Sequence, residues 1–435
     1  MSAFFDPDGL DDAEAALREA NLAFARRYPG ERAARQPVHT LIEGAQHFTA
    51  DVAARRGAEA LAALGAHAPD AASLGRALGI DGHPALEAIV ARVRDKLARE
   101  PVEDYRIDFE DGFGVRDDDD EDQAALDVAA ELARGVREAR LPSSIGVRVK
   151  PLTEELRARS VRTLGLLVGA LVESGALPER WVVTLPKVTV AEQVAYFVAA
   201  LRAMERATGL ADGALRFEIQ LEVPQAIVDA TGRSLLPAIV DASDGRLDGV
   251  NLGVYDYTAA LGITAAHQRL RHPACDHARH VIQTSLAGTG VWLADGSTAL
   301  LPVPRHDGDS AGVHAGWHLH FDDVRHSLAA GWYQGWDLHA AQLVSRHAAV
   351  TSFFLEGVDA AGARLRNFVE RAHRTALVGG VLDEPATGQA LLAFFHRAMS
   401  AGAIADEDAE RLTGVTGAEL REPSFARVLA RRGIR

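Results

Sequence analysis

The sequence predicts an α/β protein, a (β/α)8 TIM barrel with an N-terminal helical arm and a C-terminal helical extension. Short β-rich runs alternate with long Ala-, Leu- and Arg-rich stretches of helical periodicity, which is typical of βα units around a parallel sheet. Eight β-rich runs occur in the chain. Its 435 residues accommodate the roughly 250 residues of such a barrel together with insertions.

The eight predicted strands are separated by intervals long enough for at least one helix each. They are Pro37–Gly44, Tyr105–Gly112, Ile145–Pro151, Trp181–Val188, Arg216–Pro224, Leu247–Asp256, one run within Thr289–Val303, and Trp336–Gln342. Apolar residues spaced three and four apart predict helices between them. These helices include Asp51–Leu64, Asp70–Leu78, Pro84–Arg99, Ala191–Thr208, Ala226–Ile239 and Asp322–Ala330.

Three segments follow from this pattern. Residues 1–36 form the helical arm, residues 37–350 the catalytic barrel, and residues 351–435 a helical extension or lid. The six consecutive acids Asp117–Asp122 are interpreted as a solvated loop after the second strand. A glycine- and histidine-rich insertion, His306–His320, is interpreted as a loop after the seventh strand.

Charge and cysteine content indicate which partners and which cell compartment to expect. Acidic residues outnumber basic ones by 61 to 46, and the net charge of −15 disfavours binding to nucleic acid or to an anionic membrane. The single cysteine, Cys275, cannot form a disulfide within the chain. With an acidic start and no apolar run of about 18 residues, we expect a cytoplasmic protein. A small anionic substrate would therefore need a local positive charge or a metal.

Charged residues collect where the predicted strands end, which is the active-site face of such a barrel. They are Asp108, Glu110, Asp111, Arg148, Lys150, Lys187, Glu222 and Asp256. Carboxylates converging on one mouth repel each other, and a divalent cation removes that repulsion. Oxygen ligands suit Mg²⁺ or Mn²⁺, and Arg148 beside such an ion would stabilise negative charge on a substrate oxygen.

Several segments, in this order, resemble the family of HpcH/HpaI aldolases, citrate lyase β-subunits and malyl-CoA lyases, whose barrel malate synthases share. They are IDFEDG (107–112), VRV (147–149), TLPKV (184–188), LEVPQA (221–226), GVYDYTAALG (253–262), Asp295–Gly296 and GWDLHAAQ (335–342). The resemblance covers roughly residues 37 to 350. The chain departs from the family pattern at Lys150, Val223 and Ala340, which leaves the substrate open.

The resemblance implies roles for individual residues. Glu222 and Asp256 match the two metal-binding carboxylates, and Arg148 the arginine that steadies the substrate oxygen. Glu110 and Asp111 match acids beside the metal and the arginine.

The segment GVLDEP (380–385) resembles the lid of malyl-CoA lyases. Its Asp383 would be an acid/base group, which in the family often comes from a neighbouring subunit. A homo-oligomer is therefore expected.

The implied function is that of a Mg²⁺-dependent carbon–carbon lyase or aldolase, similar to citrate lyase β-subunits or malyl-CoA lyases. Its substrate would be a small 2-oxo or 3-hydroxy acid, or the coenzyme A thioester of one, and the reaction would pass through a metal-stabilised enolate. Three alternatives stay open. They are a malate-synthase-like condensing enzyme, a phosphoenolpyruvate-type mutase or lyase, and a catalytically inactive barrel that serves as a binding or regulatory subunit.

Other residues suggest weaker hypotheses. Lys187 could form a Schiff base, although the surrounding carboxylates would raise its pKa and oppose this. The segment HPACDHARH (272–280) invites a zinc hypothesis, but its spacing fits no closed tetrahedral site and Pro273 interrupts it. The histidines of 314–320 could border the active site, or Trp317 among them could form an apolar plug.

Overall fold

The computed structural model describes residues 10–370, 376–378, 381–383, 385–422 and 424–433. Eight parallel strands form a closed barrel in chain order, with the last strand paired to the first. The strands are β1 (His39–Gly44), β2 (Asp104–Asp108), β3 (Ser144–Arg148), β4 (Trp181–Leu185), β5 (Arg216–Leu221), β6 (Leu247–Leu252), β7 (Trp292–Asp295) and β8 (Gln334–Asp337). The predicted (β/α)8 barrel is confirmed.

Most predicted strands extend too far at their C-terminal ends. The β-rich runs continue into the loops that form the barrel mouth, where extended backbone no longer pairs with a neighbouring strand. The eighth prediction differs most, because β8 begins two residues earlier than Trp336 and ends at Asp337. The rest of that run enters a loop and the following helix.

Helices cover the outside of the barrel, and three of them lie between β1 and β2. The helices up to the last barrel unit are α1 (Asp11–Arg27), α2 (Val52–His67), α3 (Ala71–Leu78), α4 (Leu86–Arg99), α5 (Asp118–Glu138), α6 (Arg157–Glu173), α7 (Ala191–Thr208), α8 (Pro224–Ile227), α9 (Leu236–Ala242), α10 (Val254–Ala260), α11 (Pro273–Leu286), α12 (Ser310–Ala329) and α13 (Gln342–Glu370). The extra helices predicted after the first strand are confirmed.

The predicted helix Ala226–Ile239 is wrong, because the chain forms the two short helices α8 and α9 there. Asp229 causes the interruption. Its carboxylate accepts hydrogen bonds from the backbone N–H groups of Thr231 (2.8 Å) and Arg233 (2.9 Å), and this closes a turn in place of a helix.

The loop predicted for His306–His320 is also wrong, because α12 begins at Ser310. Asp309 caps this helix by accepting a hydrogen bond from the Gly312 N–H at 2.8 Å. Gly316 looks like a loop residue in the sequence, but it serves close packing. A Cβ there would lie 2.6 Å from the Cα of Pro302.

The acidic run Asp117–Asp122 was predicted to be a loop and instead starts α5. Four of its acids occupy the first helical turn, where the positive end of the helix dipole stabilises negative charge. Asp122 also pairs with Arg159 and Arg162 of α6. The run thus helps to join two neighbouring helices.

Polar side chains of β5 point into the barrel interior. Glu218, Gln220 and Glu222 are all buried. Below the mouth, Arg106 donates to Asp104 at 2.8 Å and lies 3.1 Å from Glu218. Buried carboxylates are tolerated here because a guanidinium lies between them.

The C-terminal part continues from the barrel without a break in secondary structure, because α13 runs through residue 350. After it come β9 (Ala376–Val378), β10 (Val381–Asp383), α14 (Pro385–Ser400), α15 (Asp406–Thr413), α16 (Gly417–Leu420) and α17 (Phe425–Arg431). The predicted division at 350 stays a prediction. Among the described residues, no helix has the length and apolar character needed to cross a membrane.

Two fully buried histidines predict an acid sensitivity of the fold. His39 and His347 lie with ring centroids 5.3 Å apart. Burial lowers the pKa of both imidazoles, that of His347 to about 3. The unfolded chain protonates them below about pH 6.5 while the folded chain does not. Each histidine therefore stabilises the fold above that pH and destabilises it as the pH falls.

We expect the free energy of unfolding to fall as the pH drops from 6.5 to 5. His347 should contribute a slope approaching about 1.4 kcal/mol per pH unit, and the lowered pKa of His39 should add to the fall. Urea unfolding at several pH values measures this slope. In His347→Gln, the free energy of unfolding should change less steeply with pH, because the contribution of this histidine is lost. Identical slopes in both proteins would contradict the prediction.

Candidate active site

A cavity of about 430 Å³ opens at the C-terminal ends of the strands. It brings together four of the predicted site residues: Asp111, Arg148, Glu222 and Asp256. Glu110 does not line this cavity but contacts Arg148, which does. The other lining residues include Ile42, Glu43, Asp108, Gln220, Asn251, Tyr255, Trp336 and Leu338.

Arg148, at the end of β3, is held in one orientation by Asp108, the last residue of β2. Its Nε and Nη2 donate to the two Asp108 oxygens at 2.7 and 2.6 Å. The Arg148 guanidinium also lies 5.7 Å from the ring centroid of Trp336. Burial lowers the pKa of Arg148, but the negative charges of Asp108 and Glu110 raise it by more. The side chain of Arg148 is therefore a fixed positive charge.

Asp108 is a site residue to which the sequence assigned no role. Besides binding Arg148, it accepts hydrogen bonds from the backbone N–H groups of Glu110 (2.9 Å) and Gly112 (2.6 Å). A Cβ on Gly112 would lie 2.7 Å from Asp108 Oδ2, so this close approach requires glycine. The signal was present in the sequence as the first acid of the IDFEDG segment.

Glu110 and Asp111 share the ammonium group of Lys187. Lys187 Nζ lies 2.5 Å from Glu110 and 3.3 Å from Asp111. Burial lowers the pKa of Lys187, but the negative charges of Glu110 and Asp111 raise it by more. The net shift of the Lys187 pKa is upward. The raised pKa favours the protonated lysine and opposes the Schiff-base hypothesis, in the direction that the sequence predicted.

The backbone of Lys187 has a second function. Its φ of +52° is a left-handed conformation that a lysine adopts at a cost. In this conformation its N–H donates to Glu222 Oε2 at 2.7 Å. Lys187 therefore positions Glu222 through its backbone and Glu110 through its side chain, a role that its sequence did not indicate.

Glu222 is buried immediately after β5, and Asp256 lies on the first turn of α10 beyond β6. The pKa of Glu222 is raised to about 8, first by burial and then by the negative charges of Glu110 and Asp256, against the opposing effect of Arg148. Among the described residues, the two nearby cations are ion-paired elsewhere, Arg148 with Asp108 and Lys187 with Glu110.

This donor set fits a divalent cation that binds through oxygen. Glu222 and Asp256 line the same cavity on adjacent βα units, and their mutual repulsion would be relieved by a bound cation. In the described part of the chain, no three His, Cys, Asp or Glu side chains are arranged to enclose a metal. The two carboxylates would thus supply a partly open site, with water and substrate completing the coordination.

The histidine-rich segments lie away from this cavity. On α11, Cys275 is buried whereas His277 and His280 are exposed, so the thiol and these imidazoles do not converge. On α12, His320 is buried against Asp337 at 3.0 Å, and Trp317 is fully buried. Trp317 is therefore a core residue, in agreement with the apolar alternative.

Asp383 ends β10, which pairs in antiparallel fashion with β9. The side chain of Asp383 lies outside the described residues. Its role as an acid/base group stays a prediction.

Fold and site together define a parallel α/β barrel whose mouth carries a fixed guanidinium beside buried carboxylates. Residues 17–428 match the family model described as "Domain of unknown function (DUF6986)", and the chain belongs to that family. None of the curated proteins matches the sequence.

Solved structures place the barrel among known folds. A citrate lyase from Burkholderia xenovorans LB400 matches with a TM-score of 0.56 and 20% identity, over 74% of this chain and 92% of that chain. Malate synthase of Haloferax volcanii, in its magnesium/glyoxylate complex, gives a TM-score of 0.46 and 15% identity, over 92% of this chain and 99% of that chain. At this identity the citrate lyase shows a shared barrel fold, and the weaker match supports no further argument.

Proposed function

We propose that this protein is a Mg²⁺- or Mn²⁺-dependent carbon–carbon lyase or aldolase. Its substrate would be a small 2-oxo or 3-hydroxy acid or the coenzyme A thioester of one. The observation that carries the proposal is the placement of Arg148, fixed by Asp108, in one cavity with the carboxylates of Glu222 and Asp256. The fold shared with a protein named as a citrate lyase supports it.

When bound, the cation would neutralise the carboxylates and polarise a substrate carbonyl. Glu222 and Asp256 would hold it, and Lys187 N–H keeps the Glu222 carboxylate in place. The chain's own positive charge comes from Arg148. Its Nε and Nη2 are committed to Asp108 at 2.7 and 2.6 Å, whereas the contacts of Nη1 are longer, 3.3 Å to Gln220 and 3.1 Å to Glu110 Oε2. Nη1 is thus the donor that can turn to a substrate oxygen carrying developing negative charge.

Asp111 is the candidate for moving a proton at this mouth. Its side chain is 61% exposed and lies 3.3 Å from the Lys187 ammonium group, so water and a substrate in the cavity can reach it. Glu110 is buried between Lys187 and Arg148 and is better suited to hold their positions. We propose Asp111 as the acid/base group and Glu110 as a positioning residue.

The test is calorimetry and turnover with oxaloacetate, pyruvate, glyoxylate and acetyl-CoA, each with and without Mg²⁺. Carbon–carbon bond cleavage or formation that depends on the cation would support the proposal. Cation-dependent binding with no turnover of any acid would favour the binding-subunit alternative. Neither binding nor turnover would contradict the proposed site.

Gly253 offers a test of Glu222 that leaves the carboxylate itself unchanged. A Cβ at Gly253 would lie 2.2 Å from Glu222 Cγ, so Gly253→Ala should displace the glutamate side chain. We expect at least about a tenfold loss of Mg²⁺ affinity, as is usual when the groups that support a metal ligand are disturbed.

The matched control for Gly253→Ala is Gly249→Ala, four residues earlier within β6. The nearest atom to a Cβ at Gly249 is Glu218 Oε2 at 3.4 Å, an ordinary contact. Gly249→Ala should bind Mg²⁺ as the wild type does in the same titration. Equal affinity in both variants and the wild type would show that Glu222 is not a ligand.

A further inference from the structure

Helix α1 lies apart from the rest of the described chain. Every one of its 17 residues is exposed, and none is buried. It is tied to the barrel at its end, where Arg27 pairs with Asp241 at 2.5 Å. Most helices in proteins gain their stability from packing an apolar face, and α1 buries none of its residues within the described chain.

An apolar stripe runs along this helix. Leu10, Ala13, Leu17, Ala20 and Phe24 alternate at intervals of three and four residues, which places them on one side. Leu17 is 61% exposed and Phe24 is 65% exposed. Large apolar residues this exposed and aligned mark an interaction surface and not a solvated face.

The charges on α1 indicate what covers the stripe. The first turn carries Asp11, Asp12 and Glu14, and the last turn carries Arg26 and Arg27. An identical helix in antiparallel orientation would bring the acids of one copy close to the arginines of the other. In parallel orientation, like charges would face each other at both ends.

We propose that the α1 helices of two copies of this chain pack against each other in antiparallel orientation along this stripe. The full overlap of the helices places Leu17 of one copy beside Ala20 of the other, and Phe24 beside Ala13. Each large side chain thus meets a small one, and a two-fold axis relates the two sets of contacts. The contact is roughly 25 Å long and smaller than a standard interface, so the pairing is expected to depend on protein concentration.

Sedimentation of the full chain over a range of concentrations tests the contact. Leu17→Asp should weaken self-association at least tenfold. The matched control is Leu22→Asp, because Leu22 is 51% exposed and lies on the opposite side of the same helix. Its self-association should equal that of the wild type. A monomer at every concentration, an assembly that Leu17→Asp leaves unchanged, or equal weakening by both variants would each overturn the proposal.

Cross-linking tests the orientation, since the native Cys275 is buried and its thiol is not accessible to reagents. In the antiparallel pair, the two copies of residue 20 are offset by roughly 5 Å along the helices, and those of residue 13 by roughly 16 Å. A short bismaleimide should therefore cross-link Ala20→Cys and leave Ala13→Cys monomeric. Equal cross-linking of both variants would indicate parallel helices and overturn the proposal.

Discussion

Glu222→Gln is expected to abolish Mg²⁺-dependent turnover while making the metal-free protein more stable. Glutamine has the same shape and can still accept the hydrogen bond that Lys187 N–H donates to Glu222 at 2.7 Å. Glutamine removes a carboxyl group whose charged form is disfavoured by burial and by the charges of Glu110 and Asp256, which raise the pKa of Glu222 to about 8. Folding of the variant therefore no longer has to protonate this group or bury its charge. When a carboxylate is needed for activity but destabilises the fold, its replacement should lower turnover and raise stability.

Two measurements test the expected changes in stability and in turnover. Thermal unfolding without metal should give a higher Tm for Glu222→Gln than for the wild type. Addition of Mg²⁺ should raise the Tm of the wild type and leave that of the variant unchanged, because only the wild type binds the ion. Turnover should fall by at least about a hundredfold, which corresponds to roughly 2.7 kcal/mol of lost stabilisation.

The matched control for this variant is Glu218→Gln. Glu218 lies on the same strand face and is buried, and its pKa is also raised by burial, but it contacts Arg106 and Thr184 below the mouth. Glu218→Gln should retain the Mg²⁺-dependent rise in Tm and the turnover. Turnover of Glu222→Gln at the wild-type rate would contradict the assignment of Glu222 as a metal ligand.

The sequence predicted the barrel because strand order and helix spacing are encoded locally, in runs such as Arg216–Pro224 and Ala191–Thr208. It predicted Arg148, Glu222 and Asp256 as neighbours because the C-terminal ends of parallel strands meet at one face. It could not assign Asp108 or Lys187 their roles. These depend on a bidentate contact across two strands and on a left-handed backbone conformation, which only the folded chain defines.

The incorrect loop predictions have a similar cause. Gly316 appears in the sequence as a helix breaker, whereas in the structure it allows α12 to approach Pro302. The acids of Asp117–Asp122 appear as a solvated run, whereas four of them stabilise the first turn of α5 and Asp122 joins it to α6. In both cases, tertiary packing or the helix dipole outweighs a composition that is typical of loops.

Arg148→Lys should reduce turnover by about a hundred- to a thousandfold, the usual effect of removing one preorganised donor from a site of charge development. Lysine keeps the positive charge but cannot reproduce the two hydrogen bonds of 2.7 and 2.6 Å that fix the guanidinium on Asp108. Mg²⁺ affinity should change by less than about threefold, because Glu222 and Asp256 remain. Calorimetry and turnover on the same preparation separate the two effects.

Arg106→Lys distinguishes loss of chemistry from loss of structure. Arg106 is also buried inside the barrel and bonded to a strand aspartate, Asp104, but one layer below the cavity. Both variants leave a buried carboxylate with a poorer partner, so both should lower the free energy of unfolding. Only Arg148→Lys should lower turnover at a temperature where both are folded. If the two variants lose activity in proportion to their lost stability, Arg148 acts as a structural residue and the proposed role in charge stabilisation is wrong.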